Sequence, residues 1–174
     1  MPEATGRQRH RLRFGVIGLG EFGEAYLAAL RDLRDVLDIE TVAVCSRSGN
    51  RAREMAEQYG IARWYDDPVA FAEDSEVDVV CVVTSEAEHA DPVTRALQVG
   101  KHVIVEKPLA TTLGEADALI ALAKQAGRQL LVGHLLRFAP LHPQHNAIES
   151  ETDAEITRDG DVRDTSDARQ AKLS

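Results

Sequence analysis

The sequence predicts an α/β protein with a doubly wound, mostly parallel sheet and helices on both faces. Three observations lead to this fold class. Apolar, strand-like runs alternate with helical segments from residue 13 to about residue 133. The run at 77–84 lacks polar alternation, which is typical of a strand covered on both faces. Glycines follow three of the predicted helices, at Gly60, Gly100 and Gly127, where they can end a helix in the left-handed conformation.

The alternation defines six strands and five helices in chain order. The predicted strands lie at 13–18, 39–45, 61–65, 77–84, 102–105 and 129–132. The predicted helices lie at 21–33, 50–59, 68–72, 92–99 and 113–126. Because parallel strands are joined by right-handed crossovers, each helix is expected to pack on one face of the sheet.

Length and composition limit the class of protein. The chain has 174 residues, enough for one substantial domain, and a hydrophobic content of 44%. A net charge of -9 argues against a nucleic-acid-binding surface, and no apolar stretch is long enough to cross a membrane. With no signal-peptide pattern, we expect a cytoplasmic protein. Cys45 and Cys81 lie in predicted strands and are interpreted as buried core residues.

Three regions are expected along the chain. Residues 1–12 are expected to form a basic N-terminal arm, 13–140 the α/β domain, and 141–174 a truncated or divergent tail. The end of the tail is highly charged with few apolar residues, so we expect it to be disordered. His142 and His145 lack carboxylates or cysteines at ligand spacing, which favours a surface role, and no metal site is predicted.

A glycine motif closes the first predicted strand and opens the first helix. Its residues are all predicted to bind a dinucleotide cofactor: Gly18, Leu19, Gly20, Glu21, Phe22 and Gly23. Gly18 permits a tight turn, Gly20 lets the backbone approach a pyrophosphate, and Gly23 lets the helix pack closely on the strand. The helix N-terminus offers unpaired N–H groups to the phosphates. The motif predicts an NAD(P)-binding domain of the Rossmann type.

The end of the second strand bears on which cofactor is preferred. An acidic residue there would bind the ribose 2′-hydroxyl of NAD, whereas this chain has Ser46 and Arg47, with Arg51 one helical turn on. A hydroxyl and guanidinium groups suit a phosphate dianion, so we predict that NADP(H) is favoured over NAD(H). The alternative is that Arg47 is simply exposed and the choice of cofactor is relaxed.

A lysine lies at the end of the fifth predicted strand. Lys107 precedes Pro108, which restricts the lysine backbone to extended conformations. In open α/β sheets, ligands bind beyond the carboxyl ends of the strands. A partly desolvated lysine there can exchange a proton with a substrate hydroxyl or carbonyl. Lys107 is therefore the candidate catalytic residue.

Two further blocks, with the glycine motif, carry a family resemblance. Residues 96–110 read ALQVGKHVIVEKPLA, and residues 131–140 read LVGHLLRFAP. Together these blocks resemble the Gfo/Idh/MocA oxidoreductases. The resemblance implies hydride transfer between a nicotinamide and a sugar, polyol or related hydroxy compound. It also implies that Lys107 is catalytic, that Glu106 helps to hold it, and that Thr84 and His89 lie near the nicotinamide half of the cofactor.

The chain departs from the family pattern in two respects. It has Ser85 where the family usually has a proline after the threonine of the fourth strand. Residues 153–174 show no match to the second domain, which in the family supplies the substrate pocket and usually the subunit interface. Three functions therefore stay open: a dehydrogenase, a truncated nucleotide-binding module without turnover of its own, or, more distantly, a nucleotide-sensing or interaction protein with the same fold. A homo-oligomer is also left open.

Overall fold

The computed structural model describes residues 11–134, and within them six parallel strands form one sheet. The strands are β1 (Leu12–Ile17), β2 (Ile39–Cys45), β3 (Arg63–Tyr65), β4 (Val79–Val82), β5 (His102–Glu106) and β6 (Leu130–Gly133). The helices are α1 (Glu21–Leu37), α2 (Gly49–Tyr59), α3 (Pro68–Glu73), α4 (Ala90–Gln98) and α5 (Leu113–Ala126). A short 3-10 helix covers Glu86–Glu88. Residues 1–10 of the predicted arm, and the whole of the predicted tail at 141–174, lie outside the described residues.

The strand order is β3-β2-β1-β4-β5-β6, with every described pair parallel. Ile17, the last residue of β1, pairs with Cys45 on one side and Val82 on the other. The chain winds outward from β1 in both directions, so the order reverses between β1 and β4. In sheets of this type the reversal opens a crevice at the carboxyl ends of the strands, where ligands bind.

Each face of the sheet is covered by its own set of helices. Val80 and Val82 pack into one apolar cluster, which includes residues of α3, α4 and α5. Val79 and Cys81 pack into the other, with Leu27 of α1 and residues of α2. Since successive side chains of a strand point to opposite faces, a strand buried on both faces must be apolar throughout. The predicted doubly wound fold is confirmed.

Several element ends differ from their predicted positions for local reasons. Helix α1 continues to Leu37 rather than 33, because Asp38 adopts the left-handed conformation (φ 53°) and its N–H donates to the Arg34 carbonyl. Helix α4 begins at Ala90, two residues before Pro92, since a proline in the first helical turn removes no intrahelical hydrogen bond. The predicted strand at 77–84 narrows to Val79–Val82.

The predicted glycine caps and buried cysteines are confirmed. Gly60 and Gly127 end α2 and α5 with φ of 67° and 62°, and their N–H groups donate to carbonyls of the preceding turn. Cys45 and Cys81 are free and buried. Among residues 11–134, no helix has the length and apolar character needed to cross a lipid bilayer.

Candidate functional site

A cleft of about 650 Å³ lies at the carboxyl ends of β1, β2 and β4, where the strand order reverses. That volume is within the range of pockets that enclose a small ligand or a cofactor. The cleft gathers most of the cofactor-binding residues predicted from sequence: Gly18, Leu19, Gly20, Glu21, Phe22, Ser46, Arg47 and Thr84. The other predicted site residues are not among those that line the cleft: Gly23, Arg51, His89, Glu106 and Lys107.

Residues 18–23, which we call the glycine turn, form one wall of the cleft. Gly18 has a φ of 96°, and a Cβ there would lie 2.5 Å from the Val83 carbonyl carbon. A Cβ on Gly23 would overlap the Gly18 carbonyl oxygen. A Cβ on Gly20, by contrast, would meet no atom within 4 Å. Two of the glycines are thus needed for packing, whereas Gly20 leaves open space.

That open space faces the N-terminus of α1. Gly20 is the N-cap residue in an extended conformation, and no side chain caps the helix. The first N–H groups of a helix have no intrahelical partner and carry the positive end of its dipole. An uncapped first turn beside an open glycine is an arrangement that binds an anion such as a pyrophosphate.

Arg51 braces the glycine turn from helix α2. Its Nε donates to the Leu19 carbonyl at 3.1 Å, and its Nη2 lies 3.1 Å from Glu24 Oε2. Its Nη1 donates to Glu54 Oε2 at 3.4 Å. The guanidinium is therefore already engaged by protein groups. Arg51 ties α2 to α1, and these bonds restrict the guanidinium that was predicted to contact a 2′-phosphate.

Four residues, which we call the Arg47 rim, line the opposite side of the cleft: Ser46, Arg47, Ser85 and Glu88. Arg47 Nη1 contacts Glu88 Oε1 at 2.5 Å, although the Arg47 side chain is 81% exposed. Ser85 Oγ donates to Glu88 Oε2 at 2.7 Å. Ser46 Oγ accepts a hydrogen bond from the Ser48 N–H at 3.3 Å.

Glu106, Lys107 and Pro108 form a second turn, the Lys107 turn, at the end of β5. Glu106 is only 7% exposed, and the Tyr26 hydroxyl of α1 donates to its Oε1 at 2.6 Å. Its Oε2 accepts the Lys107 N–H at 3.2 Å. Burial and the hydrogen bond to Glu106 raise the pKa of Tyr26 above its usual value, so the hydroxyl keeps its proton.

The Lys107 side chain is exposed and, within residues 11–134, forms no hydrogen bond or ion pair. Its ammonium is free to act on a bound molecule, while the buried Glu106 fixes the backbone from which it extends. Neither Glu106 nor Lys107 is among the residues that line the cleft.

His89 joins the end of β4 to the Lys107 turn. It is 1% exposed, with Nδ1 2.7 Å from the Pro108 carbonyl and Nε2 3.1 Å from the Thr84 carbonyl. Both ring nitrogens are therefore directed at main-chain oxygens. His89 thereby links the end of β4 to the Lys107 turn.

Sequence reasoning missed two residues of this region. Tyr26 fits the apolar face of α1, and only its tertiary contact with Glu106 shows that the hydroxyl is used. Glu88 meets Arg47 across 41 positions of sequence, in a 3-10 helix that no pattern predicted. The length of that separation left no local signal.

The titratable groups near the cleft do not suggest thiol or metal chemistry in the described part of the chain. Burial raises the pKa of Cys45, at the cleft floor, to about 12, and burial does the same for Cys81. Both are thus protonated at neutral pH. No group of three His, Cys, Asp or Glu side chains within residues 11–134 could hold a metal ion.

Known proteins share this architecture and much of this sequence. A scyllo-inositol 2-dehydrogenase (NAD(+)) of Bacillus subtilis is 35% identical over 133 residues, which cover 76% of this chain and 38% of that protein. A dTDP-3,4-didehydro-2,6-dideoxy-alpha-D-glucose 3-reductase of Actinomadura kijaniata is 33% identical over 156 residues, 87% of this chain and 43% of that protein. The chain thus spans about two fifths of the length of these relatives.

Solved structures agree with the sequence comparison. A 3-ketoreductase of Actinomadura kijaniata, crystallised with NADP and TDP-benzene, superposes with a TM-score of 0.72 at 33% identity, covering 82% of this chain and 43% of that one. A probable dehydrogenase of Thermotoga maritima superposes with a TM-score of 0.69 at 36% identity, covering 73% and 37%.

A family model described as an oxidoreductase family with an NAD-binding Rossmann fold matches residues 12–134, the whole of the sheet and its helices. The match includes the glycine turn, the Arg47 rim and the Lys107 turn. With this coverage and these relatives, the chain belongs to the Gfo/Idh/MocA family of NAD(P)-binding oxidoreductases.

Proposed function

We propose that this chain is the cofactor-binding part of an NADP-dependent dehydrogenase that acts on a sugar, a polyol or a related hydroxy compound. The observation that carries the proposal is the cleft itself, in which the uncapped start of α1 and the open side of Gly20 face the strand-order reversal. The Lys107 turn lies at the carboxyl end of β5, on the same edge of the sheet.

Each proposed contact follows from the position of its residue. The N–H groups that open α1 would bind the pyrophosphate, with Leu19, Glu21 and Phe22 lining its path. Thr84 would border the nicotinamide half at the end of β4. When bound, the cofactor supplies the hydride acceptor or donor. Within the glycine turn, Gly23 allows a close approach to the Gly18 carbonyl, and Arg51 of α2 donates to the Leu19 carbonyl.

Lys107 is the proposed catalytic residue. Its exposed ammonium would exchange a proton with the hydroxyl or carbonyl of the substrate. Glu106 and His89 would act as positioning residues, because one binds the Lys107 N–H and the other approaches the Pro108 carbonyl. This arrangement leaves the Lys107 side chain without a protein contact among the described residues, while its main-chain N–H is held by Glu106.

The preference for NADP(H) is supported by the end of β2. No carboxylate follows Cys45 at 46–48, the place where an NAD-binding site would offer one to the ribose, and Arg47 is exposed there. The relatives include both types, since the Bacillus enzyme is named for NAD(+) and the Actinomadura structure holds NADP. Calorimetric titration with NADP+ and NAD+ tests the preference. We expect tighter NADP+ binding, and tighter NAD+ binding would reject it.

A second candidate is a cofactor-binding module without turnover of its own. It is favoured by the chain spanning about two fifths of its relatives, whose remaining length could supply the substrate pocket. A panel of sugars and polyols incubated with NADP+ separates the two by the absorbance of reduced cofactor. Turnover that disappears in Lys107→Ala supports the dehydrogenase, and cofactor binding without turnover supports the module.

The substrate class, the cellular location and the binding partners of this protein remain predictions. We expect a small-molecule substrate, a cytoplasmic location and no binding of nucleic acid or membrane, and the oligomeric state is open. The net charge of -9 supports the expectation for nucleic acid.

A further inference from the structure

We propose that Glu88 is a specificity-determining residue, an internal anion that competes with the cofactor 2′-phosphate for Arg47. This inference rests on the proposed use of Arg47 to bind NADP. It assigns to Glu88 the ratio of NADP to NAD affinity, which sequence reasoning left to Ser46, Arg47 and Arg51.

The geometry places one carboxylate against the proposed phosphate ligand. Glu88 Oε1 lies 2.5 Å from Arg47 Nη1, and both residues line the cleft. A 2′-phosphate bound to Arg47 would form charge-assisted hydrogen bonds with the guanidinium whose Nη1 contacts Glu88. The phosphate would therefore compete with the Glu88 carboxylate for this arginine.

The Glu88 carboxylate is held in that position by Ser85. Ser85 Oγ donates to Glu88 Oε2 at 2.7 Å, and the Glu88 N–H donates to the Ser85 carbonyl at 2.8 Å. The Ser85 hydroxyl thus supplies a bond that orients the Glu88 carboxylate, whose other oxygen contacts Arg47.

The pair is weak enough to be displaced. Arg47 is 81% exposed and Glu88 is 41% exposed, and ion pairs this open to water contribute little to stability. A phosphate dianion can therefore replace Glu88, but it does so beside a negative charge. The 2′-hydroxyl of NAD carries no charge and meets no such repulsion. Glu88 consequently lowers NADP affinity selectively and narrows the preference for NADP over NAD.

The test uses the fragments that carry the difference, 2′,5′-ADP and 5′-AMP, together with NADP+ and NAD+. In Glu88→Gln, which keeps the size of the side chain, we expect 2′,5′-ADP and NADP+ to bind about tenfold more tightly. Binding of 5′-AMP and NAD+ should change less than about twofold. Ser85→Ala should shift the same ratio in the same direction by a smaller factor.

Glu86→Gln is the matched control, because it removes an equal charge from the same 3-10 helix without contact to Arg47. It should leave the ratio within about twofold of the original. The inference is rejected if Glu86→Gln and Glu88→Gln increase the affinity for 2′,5′-ADP by the same factor. It is also rejected if Glu88→Gln increases the affinity for 5′-AMP as much as the affinity for 2′,5′-ADP. Circular dichroism of each variant confirms that the fold is intact.

Arg47→Gln separates this inference from the proposed function. If that variant loses 2′,5′-ADP affinity while Glu88→Gln changes nothing, Arg47 binds the phosphate and only the role of Glu88 is wrong. If Arg47→Gln leaves 2′,5′-ADP affinity unchanged, the proposed basis for NADP preference is itself wrong.

Discussion

The glycine turn and the Arg47 rim face each other across one cleft, yet different kinds of contact hold them. In the glycine turn, main-chain atoms lie so close that a single methyl group on Gly18 or Gly23 would overlap them. In the Arg47 rim, exposed side chains meet through one ion pair and one hydroxyl bond. In the proposed function, the turn would bind the pyrophosphate that every dinucleotide shares. A substitution in the Arg47 rim would change the preference between NADP and NAD with little effect on the stability of the fold.

The largest effect is expected from Gly23→Ala. Its added methyl would overlap the Gly18 carbonyl oxygen, and neither backbone can move without shifting α1 from β1. We expect the free energy of unfolding to fall by about 3 kcal/mol, as for other overpacked sites. Urea denaturation measures it.

Gly114→Ala is the control for Gly23→Ala. Gly114 is also helical, but a Cβ there meets nothing within 4 Å. Its stability should stay the same or rise by up to about 1 kcal/mol, because alanine is the better helix former. Equal stability of the two variants would contradict the close packing of the glycine turn.

Tyr26→Phe tests a buried side-chain contact, intermediate between the two regions. Removing the hydroxyl leaves Glu106 Oε1 without its 2.6 Å donor in a buried position. The free energy of unfolding should fall by about 1–3 kcal/mol. Tyr59→Phe, whose hydroxyl makes only a 3.4 Å bond to the Glu24 carbonyl, should cost less. A greater loss in Tyr59→Phe would argue against the Tyr26 contact.

The same variant has a pH signature. The pKa of Tyr26 is raised in the folded protein above its ordinary value of 10.0, chiefly by burial and then by Glu106. Above pH 10 the unfolded chain therefore loses this proton first, and the stability that the neutral hydroxyl contributes declines as pH rises. Unfolding titrations between pH 9 and about pH 11 should show a steeper decline for the original protein than for Tyr26→Phe.

Gly20→Ala separates binding from folding within the glycine turn. Its methyl would enter the open space in front of α1, where the pyrophosphate is expected. Cofactor affinity should fall more than about tenfold, which is about 1.4 kcal/mol. Stability should change by about 1 kcal/mol or less, since glycine is only a modest N-cap. Unaltered affinity in calorimetry would place the pyrophosphate elsewhere.

The smallest effect on stability is expected at the Arg47 rim. Arg47→Gln removes an ion pair whose arginine is largely in water. The free energy of unfolding should change by less than about 0.5 kcal/mol. Urea denaturation of Arg47→Gln and Gly23→Ala under the same conditions compares their free energies of unfolding directly. A loss of more than about 2 kcal/mol would mean that the rim supports the fold as the glycine turn does.

Most of the fold could be predicted because its signals are local. The unbroken apolar run around β4, the glycines that end α2 and α5, and the motif between β1 and α1 each reflect a rule that acts over a few residues. The misplaced ends have weaker signals. The left-handed conformation at the end of α1 belongs to Asp38, and an aspartate, although it adopts this conformation more often than most residues, is a weaker helix-end signal than a glycine.

The candidate site divides in the same way. The sequence predicts the residues that line the cleft from the glycine motif and the strand ends, because parallel strands bring their carboxyl ends to one edge of the sheet. It does not predict the hydrogen-bond partners of the candidate site residues. Arg51 was expected to be available to a phosphate, and the structure shows it bound to Leu19 and Glu24. His89 was expected near the nicotinamide and is buried against two carbonyls.

By itself, the sequence determined the parallel α/β architecture, the place of the glycine turn and the strand end that carries Lys107. Tertiary structure alone decided that Tyr26 meets Glu106 and that Glu88 meets Arg47, contacts that join residues 80 and 41 positions apart. The physical reason is one of range. Periodicity and backbone conformation act between neighbours, whereas a hydrogen bond between distant side chains exists only after the sheet has brought their strands and helices together.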